Sequence, residues 1–214
     1  MSGLFASLIA CAKVKLSPLF SDNMVLQQEA EVPVWGKASP EMRVIVIPSW
    51  SGEKYENIAD RTGNWKVNIK TPKAGGPYHL EITDGEKVRL ENVMIGEVWL
   101  CSGQSNMQMP VEGWGKVKNY QQEVAQANYP DIRLMTVSNT ISLSPSQEFT
   151  AVGGGWQVCS SVTIREFSAT AYFFGREIAR TQQVPVGLIC AHWGGTNIAV
   201  SYTHLRAHET KANL

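Results

Sequence analysis

Residues 13–92 alternate between apolar and polar positions in short runs, and a period of two is the pattern of half-buried β-strands. Asp84-Gly85 lies between the last two runs and is a strong hairpin signal. Several short strands at close spacing predict a small β-sandwich over residues 13–92. The predicted strands are Val25–Gln28, Val32–Gly36, Arg43–Ile47, Trp65–Lys70, Tyr78–Ile82 and Val88–Leu90.

From residue 93 onward, apolar runs alternate with stretches of helical periodicity. Ser168 can cap the second helix, which would carry Ala171, Phe174 and Ile178 on one face. Residues 138–155 are rich in Ser, Pro and Gly and predict a long loop. Strand, helix, strand, helix, strand is the order of a parallel sheet with right-handed crossovers, so residues 93–199 predict an α/β domain. The predicted elements are a buried strand Val93–Leu100, a helix Lys118–Asn128, a strand Asp131–Val137, a helix from Ser168 to Gln182 and a strand Val186–Ala191.

A serine turn, Gly103-Gln104-Ser105-Asn106-Met107, follows directly after the strand Val93–Leu100. Ligands bind at strand ends in α/β sheets, and a serine placed there can act as a nucleophile if a base reaches it. The nucleophile elbow of α/β-hydrolases has the pattern Gly-x-Ser-x-Gly. Its second glycine is missing here, because Asn106 and Met107 follow Ser105. The alternative is a serine that only shapes a turn.

The composition excludes some classes of partner. There are 19 Lys and Arg against 19 Asp and Glu, with no dense basic stretch, so neither nucleic acid nor an anionic membrane is predicted as a partner. The seven Trp fill cores or, alternatively, stack on sugars. The four Cys match no zinc spacing and imply no disulfide framework. No metal, nucleotide or redox motif is present, so no cofactor is predicted.

The N-terminal residues 1–12 have the character of a signal peptide. Leu4 to Ala12 is apolar and small, and Ala10-Cys11-Ala12 is similar to a cleavage site. Leu8-Ile9-Ala10-Cys11 resembles a bacterial lipobox, which would place a lipid on Cys11. The run is too short to span a bilayer. We expect a secreted or periplasmic bacterial protein, with lipid anchoring as a variant and an ordinary disordered N-terminus as the alternative.

Several segments, in order, resemble the sialate O-acetylesterase family of SGNH-type hydrolases, over about residues 16–198. The resemblance implies a β-sandwich followed by the first part of a flavodoxin-like SGNH domain. It also implies hydrolysis of O-acetyl esters of sugars, sialic acids being the namesake substrate. The segments are Leu19–Gln27, Gly63–Trp65, Gly75–Tyr78, Gly96–Met107, Ala127–Arg133, Trp156–Cys159, Phe167–Ala169, Tyr172–Glu177, Pro185–Ile189 and Trp193–Thr196.

The resemblance also implies roles for single residues. Ser105 would attack the acetyl carbonyl, and preorganised N–H donors would stabilise the anionic intermediate. The alternative for the Gly-Gly turn is that its glycines only permit a tight bend. Candidates for the oxyanion hole or for substrate binding are Gln104, Asn106, Gly194, Gly195, Thr196 and Asn197.

The family's Asp-x-x-His block, which holds the catalytic base and its carboxylate, has no match in this sequence. None of the four histidines has an acidic residue three positions before it: His79, His192, His204 and His208. We therefore expect a truncated catalytic domain and an inactive fragment.

Residues 200–214 form a predicted non-native tail. Ser201–Thr210 resembles an adaptor-derived tail found on unrelated reading frames, and the alternative is a genuine polar segment. Two other functions stay open. One is an acetylxylan or other polysaccharide acetylesterase, and the second is a non-catalytic carbohydrate-binding protein.

Overall fold

The computed structural model describes residues 14–115, 117–141 and 148–195. Its strands are β1 (Lys15–Leu16), β2 (Val25–Gln27), β3 (Glu31–Lys37), β4 (Arg43–Pro48), β5 (Tyr55–Ile58), β6 (Asn64–Lys70), β7 (Gly75–Thr83), β8 (Lys87–Gly103), β9 (Asn128–Thr136), β10 (Gln157–Ser160) and β11 (Val186–His192). Its helices are α1 (Ser105–Gln108), α2 (Tyr120–Gln126) and α3 (Ala169–Gln182), with a 3₁₀ turn at Val152–Gly154.

The N-terminal part is a sandwich of two sheets, as the alternating pattern predicts. Among the described residues, one sheet has the order β1-β3-β6, and the facing layer comes from β5, β4, β7 and the first half of β8. Both layers contribute to a single core, for example Val34 and Ile69 from the first sheet and Val46 and Ile82 from the second. All four side chains are fully buried, so this core holds the two layers together.

Strand β8 connects the sandwich to the C-terminal part. It pairs antiparallel with β7 through Lys87 to Ile95, and then parallel with β11 through Glu97 to Gly103. The two predicted strands Val88–Leu90 and Val93–Leu100 are therefore one element. The predicted domain boundary between residues 92 and 93 falls inside this strand and stays a prediction.

The C-terminal part is a parallel sheet with the order β9-β11-β8, to which β10 adds antiparallel on β9. Helix α3 covers one face, where a second cluster of buried side chains includes Leu188 and Tyr172. Gly96 marks the place where the chain entering β11 crosses β8, because a Cβ there would lie 2.0 Å from the Pro185 carbonyl oxygen. The predicted alternation of strands and helices, and the mixed α/β class, are confirmed.

Helix α3 begins where the sequence predicts. The Ser168 hydroxyl accepts a hydrogen bond from the Ala171 N–H at 3.1 Å, which satisfies one of the free donors of the first turn. Of the apolar residues predicted on one face, Phe174 is 39% exposed and packs edge-on against Trp99 at 5.0 Å. The residues that α3 buries are Ala169, Ala171, Tyr172 and Gly175.

Other element bounds also differ from the prediction. Helix α2 is shorter than Lys118–Asn128, because Asn128 already belongs to β9 and pairs with Ser160 of β10. The loop after β9 folds back through a bridge between Val137 and Ala151. Strand β10 then follows where no strand was predicted. In the described part of the chain, no helix is long and apolar enough to cross a membrane.

A buried arginine ties the two parts together. Arg133 on β9 is 3% exposed, and its guanidinium donates to the carbonyl oxygens of Pro130 (2.8 Å), Asn23 (3.3 Å) and Asn92 (3.4 Å). Asn23 precedes β2, and Asn92 is a position of left-handed backbone inside β8. Burial lowers the pKa of Arg133. The carbonyl oxygens replace the water that this charge loses on burial.

Candidate active site

Ser105 is the first residue of α1 and lies just beyond the carboxyl end of β8. Its side chain is exposed. The short helix is fixed to the start of α3, because the Ala169 N–H donates to the Met109 carbonyl oxygen at 2.8 Å. Ser105 therefore lies on a turn that a hydrogen bond to α3 holds in place. The turn is at the carboxyl edge of the parallel strands, where ligands bind in α/β sheets.

The glycine turn that follows β11 lies against this helix. His192, the last residue of β11, is in register with Gly103 of β8, and the Trp193 N–H donates to the Gly103 carbonyl oxygen at 3.1 Å. The next N–H, that of Gly194, donates to Oε1 of Gln108 at 2.7 Å. Two successive hydrogen bonds thus hold this turn against β8 and α1.

Gly194 approaches Ser105 so closely that no side chain fits between them. A Cβ on Gly194 would lie 3.0 Å from Ser105 Oγ and 3.3 Å from Ser105 Cα. The structure therefore brings the predicted nucleophile and the predicted glycine turn together. Glycine at 194 is favoured by this close approach, whereas Gly195 is the residue of the turn that has left-handed backbone.

Of the other predicted site residues, some lie in the described part of the chain and some do not. Gln104 precedes α1 directly, and Asn106 is its exposed second residue, whose carbonyl oxygen accepts from Thr170 Oγ1 at 2.9 Å. Gly195 is exposed and has left-handed backbone. Thr196 and Asn197 lie outside the described residues.

Gln108 was not predicted from the sequence. It lies three positions after Ser105, and residues at that spacing share one face of a helix. This spacing is the signal that could have found it. Because its Oε1 already accepts the Gly194 N–H, Gly194 is not a free donor for an oxyanion in this arrangement.

No described histidine is paired with Ser105. His79 lies on β7 beside Tyr78, whose partner on β8 is Val93. From Val93 to Gly103 the strand extends about 30 Å at roughly 3.3 Å per residue. His192 is close in the fold, but both of its ring nitrogens are buried and have no hydrogen-bond partner. His204 and His208 lie outside the described residues.

Two thiols lie beneath the serine turn. Cys101 of β8 and Cys190 of β11 are in register on neighbouring strands, and both are buried and reduced. The hydrogen bond between the two thiols, together with burial, raises the pKa of Cys190. Burial also raises the pKa of Cys159 to about 12. Cys159 and Cys190 are therefore protonated packing residues at neutral pH and not nucleophiles.

The fold and this site define a mixed α/β protein that carries a serine turn and a glycine turn side by side at the carboxyl edge of parallel strands. The model of the carbohydrate esterase family described as sialic acid-specific acetylesterase matches residues 95–210. The sialate O-acetylesterases of Pongo abelii and Homo sapiens are each 32% identical over 211 residues, covering 91% of this chain. The chain belongs to the sialic acid-specific acetylesterase family of carbohydrate esterases.

A solved structure supports the same assignment. The crystal structure of a carbohydrate acetylesterase from Xanthomonas citri matches with a TM-score of 0.79 and 35% sequence identity, over 86% of this chain and 41% of that chain. The fold is therefore that of a carbohydrate acetylesterase. The chain spans about two fifths of the length of the curated relatives, since it covers 40% of the Pongo abelii and Homo sapiens proteins.

Proposed function

We propose that the chain carries the nucleophile half of a serine O-acetylesterase site that acts on carbohydrates, with O-acetylated sialic acids as the first substrate class. Ser105 attacks the acetyl carbonyl carbon and forms an acetyl-enzyme, and the sugar hydroxyl leaves with a proton. Water then releases acetate. The observation that carries this proposal is the close approach of Gly194 to Ser105 at the carboxyl edge of the parallel strands, where a Cβ on Gly194 would lie 3.0 Å from Ser105 Oγ.

The base that accepts the Ser105 proton is not among the described residues. His79 on β7 lies far from the carboxyl end of β8, and the buried ring nitrogens of His192 have no hydrogen-bond partner. In this proposal neither the base nor its carboxylate is among the 214 residues, since no Asp-x-x-His block is present, and the chain alone does not turn over substrate. A base is required because a serine hydroxyl is a weak nucleophile at neutral pH.

Acetyl transfer to the 214-residue chain tests the nucleophile directly. The purified chain is incubated with p-nitrophenyl acetate, with and without imidazole as a substitute base, and the acetylated residue is located by mass spectrometry. We expect acetyl on Ser105, formed faster with imidazole by about tenfold or more. The acetyl-enzyme should accumulate, because no positioned base activates water for its hydrolysis.

Two variants control this experiment. Ser105→Ala should lose the imidazole-dependent acetylation, and Ser51→Ala, in an exposed turn of the sandwich, should retain it. Acetylation spread equally over surface serines and lysines would contradict the role of Ser105. Turnover without imidazole that depends on Ser105 would show that a base lies within the chain.

The substrate class is tested with the same imidazole system. The names of the curated relatives favour O-acetylated sialic acid, whereas the Xanthomonas citri relative is described more broadly as a carbohydrate acetylesterase. The rate of acetyl transfer to Ser105 is compared between O-acetylated sialic acid and acetylated xylan as donors. Faster transfer from xylan would support a polysaccharide acetylesterase instead. A folded chain that binds both sugars but never becomes acetylated would instead support a non-catalytic carbohydrate-binding protein.

We further propose that the protein is exported. The support is the apolar segment Leu4–Ala12 with its small residues around Cys11, which lies outside the described residues. Expressed in a bacterium with a periplasm, the chain should leave the cytoplasm and lose its first residues, as N-terminal sequencing would show. Labelling with a radioactive fatty acid that disappears in Cys11→Ser would identify the lipid-anchored form. A chain that stays in the cytoplasm with Met1 intact would contradict export.

A further inference from the structure

Gln108 is the last residue of α1, and its side chain reaches from the nucleophile's helix to the glycine turn. Its Oε1 accepts the N–H of Gly194 at 2.7 Å, and both groups are partly buried. Ser105 and Gln108 are three positions apart, so they present their side chains on the same side of this single helical turn. One short element thus supplies both the reactive hydroxyl and the group that binds the facing turn.

The geometry around Gly194 shows how closely these groups converge. The point where a Cβ of Gly194 would lie is 2.7 Å from Gln108 Oε1 and 3.0 Å from Ser105 Oγ. The preceding N–H, of Trp193, is already bound by the Gly103 carbonyl oxygen. Gln108 therefore supplies the hydrogen bond that connects the glycine turn to α1, while Gly103 connects it to β8.

The chemistry of a glutamine suits this position. The Gly194 N–H fixes the carboxamide orientation, since a rotated amide would turn its NH₂ group toward another donor. A neutral acceptor also adds no negative charge beside a serine whose reaction produces an oxyanion. A glutamate would accept the same hydrogen bond but would oppose that charge.

We propose that Gln108 is a positioning residue: it sets the distance between the Gly194-Gly195 turn and Ser105 and keeps the Gly194 N–H engaged as a structural donor. The expected effect of Gln108 on acetyl transfer rests on the proposed function of Ser105. The hydrogen bond between Gln108 and Gly194 does not depend on that function. In acetyl transfer, the donors to the oxyanion are then groups other than the Gly194 N–H.

Amide hydrogen exchange at Gly194, measured by NMR on the ¹⁵N-labelled 214-residue chain, tests the hydrogen bond. Gln108→Ala should speed exchange of the Gly194 amide by about tenfold, the effect expected for one lost hydrogen bond. Amides of β3, the middle strand of the β1-β3-β6 sheet, should keep their protection and show that the variant is folded. Gln122→Ala, an exposed glutamine on α2, is the matched control and should leave Gly194 unchanged.

Gln108→Glu gives a readout that loss of packing alone would not produce. The carboxylate should retain the protection of Gly194, and the Gly194 proton shift should then titrate with the ionisation of the new side chain. Gln122→Glu should give no such titration at Gly194. Unchanged exchange in Gln108→Ala, or a Gly194 signal that is independent of pH in Gln108→Glu, would overturn the proposal.

A kinetic measurement separates this inference from the function on which it rests. In the imidazole-assisted acetylation, Gln108→Ala should slow modification of Ser105 by about tenfold, because the facing turn is no longer held in place. Gln108→Glu should slow it as well, although the turn is still held. If the parent chain is never acetylated at Ser105, the proposed function fails, and the exchange experiment still decides the role of Gln108.

Discussion

His192, the last residue of β11, is half-buried, and both of its ring nitrogens are buried without a hydrogen-bond partner. Alternation along β11 places it on the face of Leu188 and Cys190, which α3 covers. Burial lowers its pKa, because loss of hydration disfavours the charged ring more than the interaction with its own backbone stabilises it. His192 is therefore neutral in the folded chain at pH 7, and protonating it costs folding free energy.

The pH dependence of stability follows from this shift. An unfolded histidine titrates near 6.5, and the folded-state pKa of His192 lies below that value. Well above pH 6.5 His192 is neutral in both states, and it does not lower the unfolding free energy there. As the pH falls below 6.5 the unfolded state takes up the proton first, so the unfolding free energy decreases.

Urea unfolding between pH 5 and 7.5 measures this contribution. His192→Phe and His192→Gln cannot titrate, and both should flatten the decrease below pH 6.5. His192→Phe also removes two unsatisfied polar atoms and should raise the unfolding free energy at pH 7 by about 1 kcal/mol. His192→Gln keeps polar atoms at this site and should not. A decrease equally steep in both variants would mean that other groups cause it.

At the scale of residues, the sequence motifs point to Ser105 and to the glycine turn near it, but not to Gln108, which connects them. Ser105 and Gly194 are far apart in the chain, and the structure places them in contact. Gln108 carries no motif of its own, because its role depends on a turn that joins α1 only in the folded chain. The predictions for Thr196 and Asn197 stay untested.

At the scale of elements, hydrophobic periodicity predicts the strands that bury one face. Strand β6, where buried and exposed side chains alternate, is predicted almost to its ends. Strand β5 is invisible to the pattern, because three of its four side chains are exposed and it depends on pairing with β4. Strand β10 likewise lies where it does because β9 offers an edge.

Side-chain exposure in the second half of β8 differs from what its sequence predicts. Val93–Leu100 has the composition of a fully buried strand, yet Leu100 is 50% exposed and Trp99 is 39% exposed. The apolar composition shows that these side chains could be buried. Whether they are buried depends on which helices or sheets cover that face of the strand. Trp99 is partly covered by Phe174 of α3, and Leu100 points to the opposite face.

At the scale of the whole molecule, the carboxyl half of β8 is a strand edge. From Leu100 to Gly103 its strand partner among the described residues is β11, on one side, since β2 pairs only with Met94 to Gly96. The Val98 N–H on the other side is bound by the Gln27 side chain at 3.0 Å. Apolar side chains beside an open strand edge favour pairing with another chain.

We therefore expect the 214-residue chain to self-associate through this edge as its concentration rises. Leu100→Lys places a charge on the exposed apolar face and should raise the dissociation constant by about tenfold or more, the cost of no longer burying a leucine. Sedimentation velocity over a range of concentrations measures the change. Val162→Lys alters an apolar side chain that is more exposed (75%) but lies in a turn, so it should leave association unchanged. Equal weakening by both substitutions would indicate general apolar contact, and no weakening by Leu100→Lys would show that the β8 edge is not the contact.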